Sequence, residues 1–595
     1  MNSFPLIRTH HSNERLMSVV FFVALLYILP SWVKNPLETV SFIIVLAIGL
    51  LVDVFINFIR FKKPVCAVSA AVTVAILQIM SPNIPLWGRI LGVIVALIIG
   101  KHIQGGTGKN IFNPAIVGLL FLSLLFKLDF TIFSFSLWLI PALVLSLLFL
   151  SVRPFASIGL ISGMTLALFF TNNLNFSTFI SYGIIFWGLL VITDTVTTTP
   201  VPSAGFFDGL IIGFVPLYFT NSIFAFGLGF LVFNLLSFIF GVNSPILKKI
   251  IFSMKIKIKP IIDFNKDIKL IDLTDNKKEE SINNTVLSKE EILNLIETND
   301  IFGYGGAGFS TIKKIKTVLN SQISDKYFII NGVECDPGLI HDKWLLQNFP
   351  QEITKGIKLI TQCINFNDVF LAVKETKDLD FSSDLKIYKI PNFYPAGAEK
   401  ILINNILKKD IPQDKITAEE GILVLNVQTI YQIYEAVYFN RRANTRYLTV
   451  CNIKQKKSDV VKVKLGDNIR NIANQIYPNS NSIFTGGGVM QSQVVEDSSF
   501  VEKTTNFIAI ADFPNYKESP LCSRCSLCVV HCPNKLMVSQ IANLIDSGKK
   551  EKTIKYNPKK CISCGSCSYI CPAGKNLSAR IKEAKEFSLL SNEIK

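Results

Sequence analysis

Apolar stretches dominate the first 240 or so residues, each close to the roughly 20 residues a helix needs to cross a hydrocarbon core. Ten stand out, at about 16–33, 39–59, 65–81, 85–101, 111–126, 131–151, 155–171, 176–193, 206–222 and 224–241. The breaks at Pro30, Pro82, Pro85 and Pro114 allow some of them to be re-entrant instead of spanning. The pattern predicts a polytopic all-α membrane domain over residues 1–245. No small-residue cleavage site follows the first run, which argues against a signal peptide. The pattern then changes abruptly. Residues 246–290 are rich in Lys, Asp and Asn, hold no sustained helical period and read as a basic linker, with KIKIKP a candidate surface strand. A helix follows at SKEEILNLIETND, opened by a Ser288–Glu291 capping box.

Composition agrees with a composite chain: 595 residues exceed one domain, and a mean hydropathy of +0.41 is high for a soluble protein. Charge adds an orientation. With ten spans and a cytoplasmic N-terminus, the inside loops hold Arg8, Arg15, Arg60, Lys62, Lys63, Lys101, Lys109 and Arg153, against Lys34, Lys127 and Arg89 outside. Both ends of the membrane domain then face the cytoplasm. The net charge of +16 raises nucleic-acid binding, but acidic residues are interspersed and no recognition motif occurs, so attraction to anionic headgroups is preferred and no nucleic acid is expected. Asp53 and Asp194 fall within or at the end of spans, where an ionisable group is costly and a functional reading competes with a cap.

The polar half carries the chemistry. Cys522, Cys525, Cys528, Cys532 and Pro533 fit C-x2-C-x2-C-x3-C-P, and Cys561, Cys564, Cys567, Cys571 and Pro572 repeat it. This is the spacing of a two-cluster iron–sulfur module, in which the fourth cysteine of each run ligates the other run's cluster. Cys571 is therefore paired with the first three and Cys532 with the second three. Zinc sites show C-x2-C pairs without this triplet. Cys66, Cys335, Cys363 and Cys451 are scattered and read as small buried hydrophobes. Thiolate ligation implies a reducing compartment.

Two glycine-rich stretches invite a phosphate. QGGTGKN at 104–110 fails the P-loop pattern at Ile103 and Asn110. GYGGAGF at 303–309 satisfies G-x-G-x-x-G through Gly303, Gly305 and Gly308, but a helix precedes it where a dinucleotide fingerprint requires a strand. Lys313 and Lys314 follow, and a flavin or nucleotide phosphate cradle is a live reading.

The segments GYGGAGFSTIKKIKTVL, YFIINGVECDPGLIHDKWLL, YPAGAEKILI and LVLNVQTIYQIYEAV resemble the flavin- and NADH-binding module of the RnfC component of the Rnf electron-transport complex, a relative of the NADH-binding subunit of respiratory complex I. The resemblance implies a non-covalent FMN and NAD(H) site formed by Gly303, Gly305, Gly306, Gly308, Lys314, Asn331, Glu334 and Asp336, closed by Asn426 and Thr429. KVKLGDNIRNIANQIYPNSNSIFTGGGVMQS resembles that family's β-grasp (SLBB) domain, and the cysteine runs fall where its ferredoxin-type domain falls. GGTGKNIFNPAIVGLLFL and GLLVITDTVTTTPVPSAGFFDGLIIG resemble the RnfD component of the same complex, the counterpart of the NqrB component of the sodium-pumping NADH:quinone reductase.

The implied order is a membrane domain over 1–245, a linker over 246–290, an α/β FMN/NADH domain over 291–455, a β-grasp domain over 456–512 and an α-helical, ferredoxin-like 2[4Fe-4S] domain over 513–595. Three departures stand out. Polypeptides that are separate in the family are joined here, the lipoyl-like domain that precedes the glycine loop is reduced to the linker, and Gln428 replaces the glycine of N-V-G-T. The expected function is that of one component of a membrane-bound oxidoreductase passing electrons between NAD(H), FMN and two clusters, with other Rnf-type subunits and a ferredoxin or flavodoxin as partners in the cytoplasmic membrane. A tethering subunit that keeps the clusters but has lost NADH oxidation, and a transporter with a redox-sensing tail, are the alternatives. No covalent flavin is expected on Thr197, Thr198 or Thr199, because DTVTTTP lacks the Ala-Thr pair of the flavinylation sequence.

Overall fold

A computed structural model describes residues 4–6, 13–62, 68–81, 84–104, 106, 110–126, 128, 140–141, 144, 154–175, 177–178, 182–192, 202–219, 222–241, 256–258, 268, 270–274, 287–306, 308–375, 381, 385–412, 415–478, 482–513, 518–519, 522 and 525–593. The helical half contains α1 (Asn13–Lys34), α2 (Leu37–Phe61), α3 (Val68–Met80), α4 (Leu86–Leu97), α5 (Pro114–Leu125), α6 (Pro154–Phe170), α7 (Pro202–Phe219) and α8 (Ile223–Gly241). Among the described residues, two helices are long and apolar enough to cross a membrane, Met17–Lys34 and Leu37–Arg60, and five shorter apolar ones accompany them. The predicted span at 176–193 is broken into a short turn at Ile184–Phe186 and a π-helical turn at Trp187–Val191, entered through Gly183 in the left-handed region. Most of the predicted span at 131–151, together with Asp194 and the DTVTTTP segment, lies outside the described residues.

The burial pattern of this half is inverted relative to a soluble bundle. Phe22, Leu37, Ile43, Leu51, Phe55 and Phe219 face outward, whereas Asp53, Lys101 and His102 are buried. A π-helical turn at Ile98–His102 continues α4 and turns both basic residues toward Asp53. Asp53 Oδ1 accepts from Lys101 Nζ at 2.7 Å and lies 2.9 Å from His102 Nε2, and Oδ2 accepts from Asn57 Nδ2 at 3.1 Å. Buried charges persist only when compensated in this way. α6 and α7 pack backbone to backbone through Gly159, Gly163, Gly209 and Gly213. A Cβ at each would fall 2.1, 2.3, 2.3 and 2.5 Å from the facing carbonyls of Phe206, Leu210, Ala156 and Leu160. Small residues spaced four apart allow such approach where lipid offers no hydrophobic drive for helix association. An apolar exterior around a compensated ionic core is the design of a half that associates with a membrane.

The polar half is built on two sheets and a helical cysteine-rich region. A four-stranded parallel sheet has the order β4 (Lys386–Lys389), β3 (Asp368–Val373), β2 (Tyr327–Gly332), β5 (Ile422–Asn426). Its central strands are nearly continuous apolar runs, as strands covered on both faces must be, and helices such as Pro350–Cys363 and Val427–Phe439 pack on them. The predicted Ser288–Glu291 capping box is present: Glu291 N donates to Ser288 Oγ at 3.3 Å and Ser288 N to Glu291 Oε2 at 2.7 Å.

The second sheet is six-stranded and mixed, in the order β1 (Leu270–Asp272), β7 (Lys457–Lys464), β6 (Thr445–Asn452), β10 (Phe507–Ile510), β8 (Ile483–Gly486), β9 (Ser492–Val494). It draws β6 from the span expected for the flavin domain and β1 from the expected linker. The cysteine-rich region has its own core, in which Val529, Leu536, Met537 and Ile541 meet Leu577, Ile581 and Ala584 of the helix Leu577–Glu593.

Candidate flavin and iron–sulfur site

The carboxyl ends of parallel strands are where open α/β sheets bind ligands, and the pairing of β2 with β5 places Asn331 beside Asn426 at that edge. Asn331 Nδ2 donates to Gly397 O at 2.9 Å. Asn426 caps the helix Val427–Phe439 through Oδ1, which accepts from Gln428 N at 2.8 Å, and its Nδ2 donates to Asp342 Oδ2 at 2.6 Å. The glycine loop lies alongside. Gly306 and Gly308 have φ of +96° and +61°, a region other residues enter at a cost, so glycine is required for this path. Tyr304 N donates to Thr429 Oγ1 at 3.0 Å, which ties the loop to the helix after β5.

Together these elements enclose a cavity of about 330 Å³ lined by Tyr304, Gly305, Gly306, Asn331, Glu334, Cys335, Asp336, His341, Asp342, Tyr394, Gly397, Asn426, Gln491, Asn506, Ile562 and Cys564, among others. That volume and its mixed polar and apolar lining suit a bound cofactor. On its floor Glu334, His341 and Asp342 bring ligand atoms within 4.8 Å of one another. Glu334 accepts from the Asp342 and Lys343 amides at 2.8 and 3.1 Å, at the start of the helix His341–Asn348. Burial, and then the neighbouring Asp342 carboxylate, push the Glu334 carboxyl up to about 8, and burial pushes Asp342 up to about 7. Burial pushes His341 down to about 3, so its ring is neutral at pH 7. The pair thus sits near the point at which a carboxyl gives up or keeps a proton at physiological pH. Asp336 is held differently, by three backbone donors at 3.0 Å: Gly338 N and Val489 N on Oδ1, and Met490 N on Oδ2. Burial raises its pKa, and those donors oppose the rise.

The cysteines fall into the two sets that the motif predicts. Cys571 lines one small cavity with Cys522, Cys525 and Cys528. Burial pushes the Cys532 thiol up to about 12, and the charges that add to it come from Cys564 and Cys561. For Cys567, burial acts first and Cys564, Cys532 and Cys561 follow. Thiols raised in this way need a cation to ionise, which iron supplies, so the residues fit the clusters. Leu536 N donates to Cys532 Sγ and Ser563 N to Cys561 Sγ, both at 3.3 Å.

Three family models match separate parts of the chain: the NQR2, RnfD, RnfE family over residues 1–142, the Nuo51 FMN-binding domain over 296–435 and the 4Fe-4S dicluster domain over 521–575. The chain is similar to an RnfD component joined to an RnfC component. The C-type component of the ion-translocating oxidoreductase complex of Buchnera aphidicola subsp. Baizongia pistaciae (strain Bp) is 30% identical over 290 residues, 46% of this chain and 57% of the relative. The same component of Buchnera aphidicola subsp. Acyrthosiphon pisum (strain APS) is 28% identical over 347 residues, 56% of this chain and 70% of the relative. The chain therefore spans somewhat over half the length of these relatives. An NAD+-reducing [NiFe]-hydrogenase in its H2-reduced state has 13% identity and a TM-score of 0.37, covering 51% of this chain and 61% of its own, a likeness too slight to bear on the site.

Within the C-like half, Gly305, Gly306, Asn331, Glu334, Asp336 and Asn426 all line the cavity. Gly303 and Gly308 shape its loop from behind: Gly308 N donates to Gly303 O at 3.2 Å. Thr429 anchors the same loop. Lys314, expected at a phosphate, instead donates to Glu399 Oε2 at 2.9 Å and Val424 O at 2.8 Å and is not part of the cavity lining. Lys374, just beyond β3, is the cation whose charge acts on Glu334, Cys335 and Asp336. Gln428, the departure from N-V-G-T, is fully buried and brackets the Tyr447 backbone: Tyr447 N donates to Oε1 at 2.6 Å and Nε2 donates to Tyr447 O at 3.1 Å. It fastens the flavin-side helix to β6, a role glycine does not fill. Asp342, His341, Asn506 and Lys374 were not singled out from sequence. The LIHDK stretch beside NGVECDPG carried a signal for the first two, a polar pair opening the helix His341–Asn348, and Asn506 carried none.

Proposed function

We propose that the chain is a membrane-bound electron-transfer subunit of an Rnf-type ion-translocating oxidoreductase, binding non-covalent FMN, NAD(H) and two [4Fe-4S] clusters. The observation that carries this reading is continuity: Cys564 and Ile562 line the same cavity as the glycine loop, Glu334 and Asn426, so a flavin bound there abuts the loop of one cluster. A nicotinamide delivers two electrons together and a cluster takes one, and a flavin between them supplies that conversion. In this reading Gly305 and Gly306 let backbone approach the cofactor, Lys374 contributes positive charge, and Glu334 with Asp342 holds a proton on the cavity floor. Cys561, Cys564, Cys567 and Cys532 would hold the cluster nearer the cavity, since Cys564 lines it, and that cluster would supply a one-electron acceptor there. Cys522, Cys525, Cys528 and Cys571 would hold the second cluster, which would supply one-electron chemistry toward a ferredoxin- or flavodoxin-type partner or other Rnf-type subunits.

The domain limits 1–245, 291–455, 456–512 and 513–595 belong to this reading, with β1 and β6 lending strands across them. So does a multi-pass D-like half in the cytoplasmic membrane with the C-like half in the cytoplasm. The bridge between Phe4 and Ser492 of the C-like half supports this reading, in which residue 4 and the redox domains share one side and the crossings are even in number. The retained cavity favours this function over a tether that has lost NADH oxidation. The test is the full chain purified in detergent and assayed for flavin released on denaturation and for NADH-dependent reduction of ferricyanide. Activity that disappears when flavin is stripped and returns with FMN supports the proposal. A chain that keeps iron but binds no flavin and oxidises no NADH refutes it in favour of the tether.

A further inference from the structure

The segments that flank the D-like half on either side both end against elements that line the flavin cavity beside Cys564. On the near side, Phe4 makes an isolated antiparallel bridge to Ser492, the first residue of β9, and Leu6 bonds the loop before it. Phe4 N donates to Ser492 O at 2.8 Å, Ser492 N to Phe4 O at 3.0 Å and Leu6 N to Val489 O at 2.8 Å. Pro5, which has no N–H, occupies the intervening position, where an edge strand tolerates it. The Phe4 ring meets Phe484 edge-on at 6.2 Å. On the far side, Tyr394 N donates to Ile256 O at 2.8 Å, and Ile256 and Ile258 join Tyr394 and Met490 in one buried cluster that touches Cys335 and Cys564.

What these two segments grip is one short loop, Gly488–Ser492, and one tyrosine. The loop's Val489 and Met490 amides hold the Asp336 carboxylate at the cavity. Its Met490 carbonyl lies so close to Gly565 that a Cβ there would fall 2.1 Å away. Tyr394 Oη donates to Cys564 O at 2.7 Å. Leu6 is seven residues from the start of α1 and Ile256 fifteen from the end of α8, so extended chain allows at most about 25 and 50 Å between the helical half and either contact.

We propose that Phe4–Leu6 and Ile256–Ile258 form a two-point clamp through which the D-like half holds the Gly488–Ser492 loop and Tyr394, and with them the spacing between the flavin cavity and the Cys564 loop. Its electron-transfer consequence rests on the function proposed above, but the clamp itself does not. The experiment is hydrogen exchange with mass spectrometry on the full chain in detergent, for wild type, Phe4→Gly/Leu6→Gly and Leu6→Pro, the last deleting a single N–H donor. Wild type is expected to protect the amides of Phe4, Leu6 and Ser492. Both variants are expected to lose protection there and across residues 486–494, and to slow NADH-driven bleaching of the clusters while ferricyanide reduction, drawn from the flavin, is kept. Unprotected Phe4 and Leu6 amides in wild type, or variants that leave exchange at 486–494 and cluster bleaching unchanged, overturn the clamp. A chain that oxidises no NADH yet shows the expected exchange changes supports the clamp and removes the flavin reading instead.

Discussion

Gly565, between Cys564 and Cys567, offers the sharpest perturbation of the junction between cavity and cluster. Its φ is +73°, and an added Cβ would lie 2.1 Å from Met490 O and 3.2 Å from Met490 C, backbone atoms that cannot rotate away. Carbon and oxygen need well over 3 Å, so Gly565→Ala forces the cysteine-rich region back from the Gly488–Ser492 loop by about 1 Å or more. The cost combines about 1–2 kcal/mol for a non-glycine residue in the left-handed region with about 1–3 kcal/mol for overpacking. Only the collision is relieved when the two surfaces part, so roughly 1–3 kcal/mol falls on this interface, enough to shift its closed-to-open ratio by a factor of about 5 or more. The cysteine-rich region keeps its own core, so iron content should stay at the wild-type level. Gly548 provides the control, since it has φ +71° and nothing within 4 Å of its Cβ, so Gly548→Ala carries the conformational cost without the collision. Stopped-flow reduction by NADH, followed at the flavin and cluster bands, should show normal flavin reduction in both variants and slowed cluster reduction only in Gly565→Ala. Equal cluster reduction in Gly565→Ala, Gly548→Ala and wild type would refute the claim that electrons cross at this contact.

Cys532→Ala should abolish the cluster built on Cys561, Cys564 and Cys567 and leave the other, lowering iron from about eight to about four per chain and removing one EPR signal. Gly306→Val puts a β-branched residue at φ +96° with its Cβ 3.2 Å from Asn506 Nδ2, and flavin should be lost on gel filtration while iron is kept. The carboxyl pair sets a pH dependence. Glu334 and Asp342 are pushed up to about 8 and about 7, above the ordinary carboxylate range near 4, so the folded state holds protons that the unfolded chain has released. Their contribution is complete below about pH 4 and is lost as pH rises to about 8. The melting temperature of the flavin domain, read by flavin fluorescence, should therefore fall across that window, and Glu334→Gln should flatten the fall.

Legibility in the sequence followed how local each constraint is. The cysteine sets could be read because a cluster fixes ligand spacing along the chain, and Cys571 does line the cavity of the first three. Gly306, Asn331, Glu334 and Asn426 came from the resemblance and not from any local pattern, and the structure gathers them around one cavity. Arg446 could not be read: it is fully buried, bonded to Asn506 Oδ1 and to the carbonyls of Glu502 and Lys503, partners more than fifty residues away. Lys314 followed its glycine loop in sequence, but a nearer acceptor, Glu399, captured it. In the helical half, hydropathy marked the apolar runs without showing which face packs. The glycines at 159, 163, 209 and 213 held that information in their four-residue spacing. Asp53 stood out as an ionisable residue in a span, yet its partners Lys101 and His102 lie nearly fifty residues on and face it only because a π-helical turn redirects them. Phe4–Leu6 is too short to carry any period at all.

The most direct test is an anaerobic NADH titration of the purified full chain, with EPR recording the clusters and absorbance the flavin in the same sample. One non-covalent FMN and about eight iron atoms per chain are expected, with NADH reducing the flavin and generating both cluster signals, the one on Cys561, Cys564, Cys567 and Cys532 appearing first. Clusters that dithionite reduces but NADH leaves oxidised, in a chain shown to hold its flavin, would contradict an electron path from the cavity through Cys564.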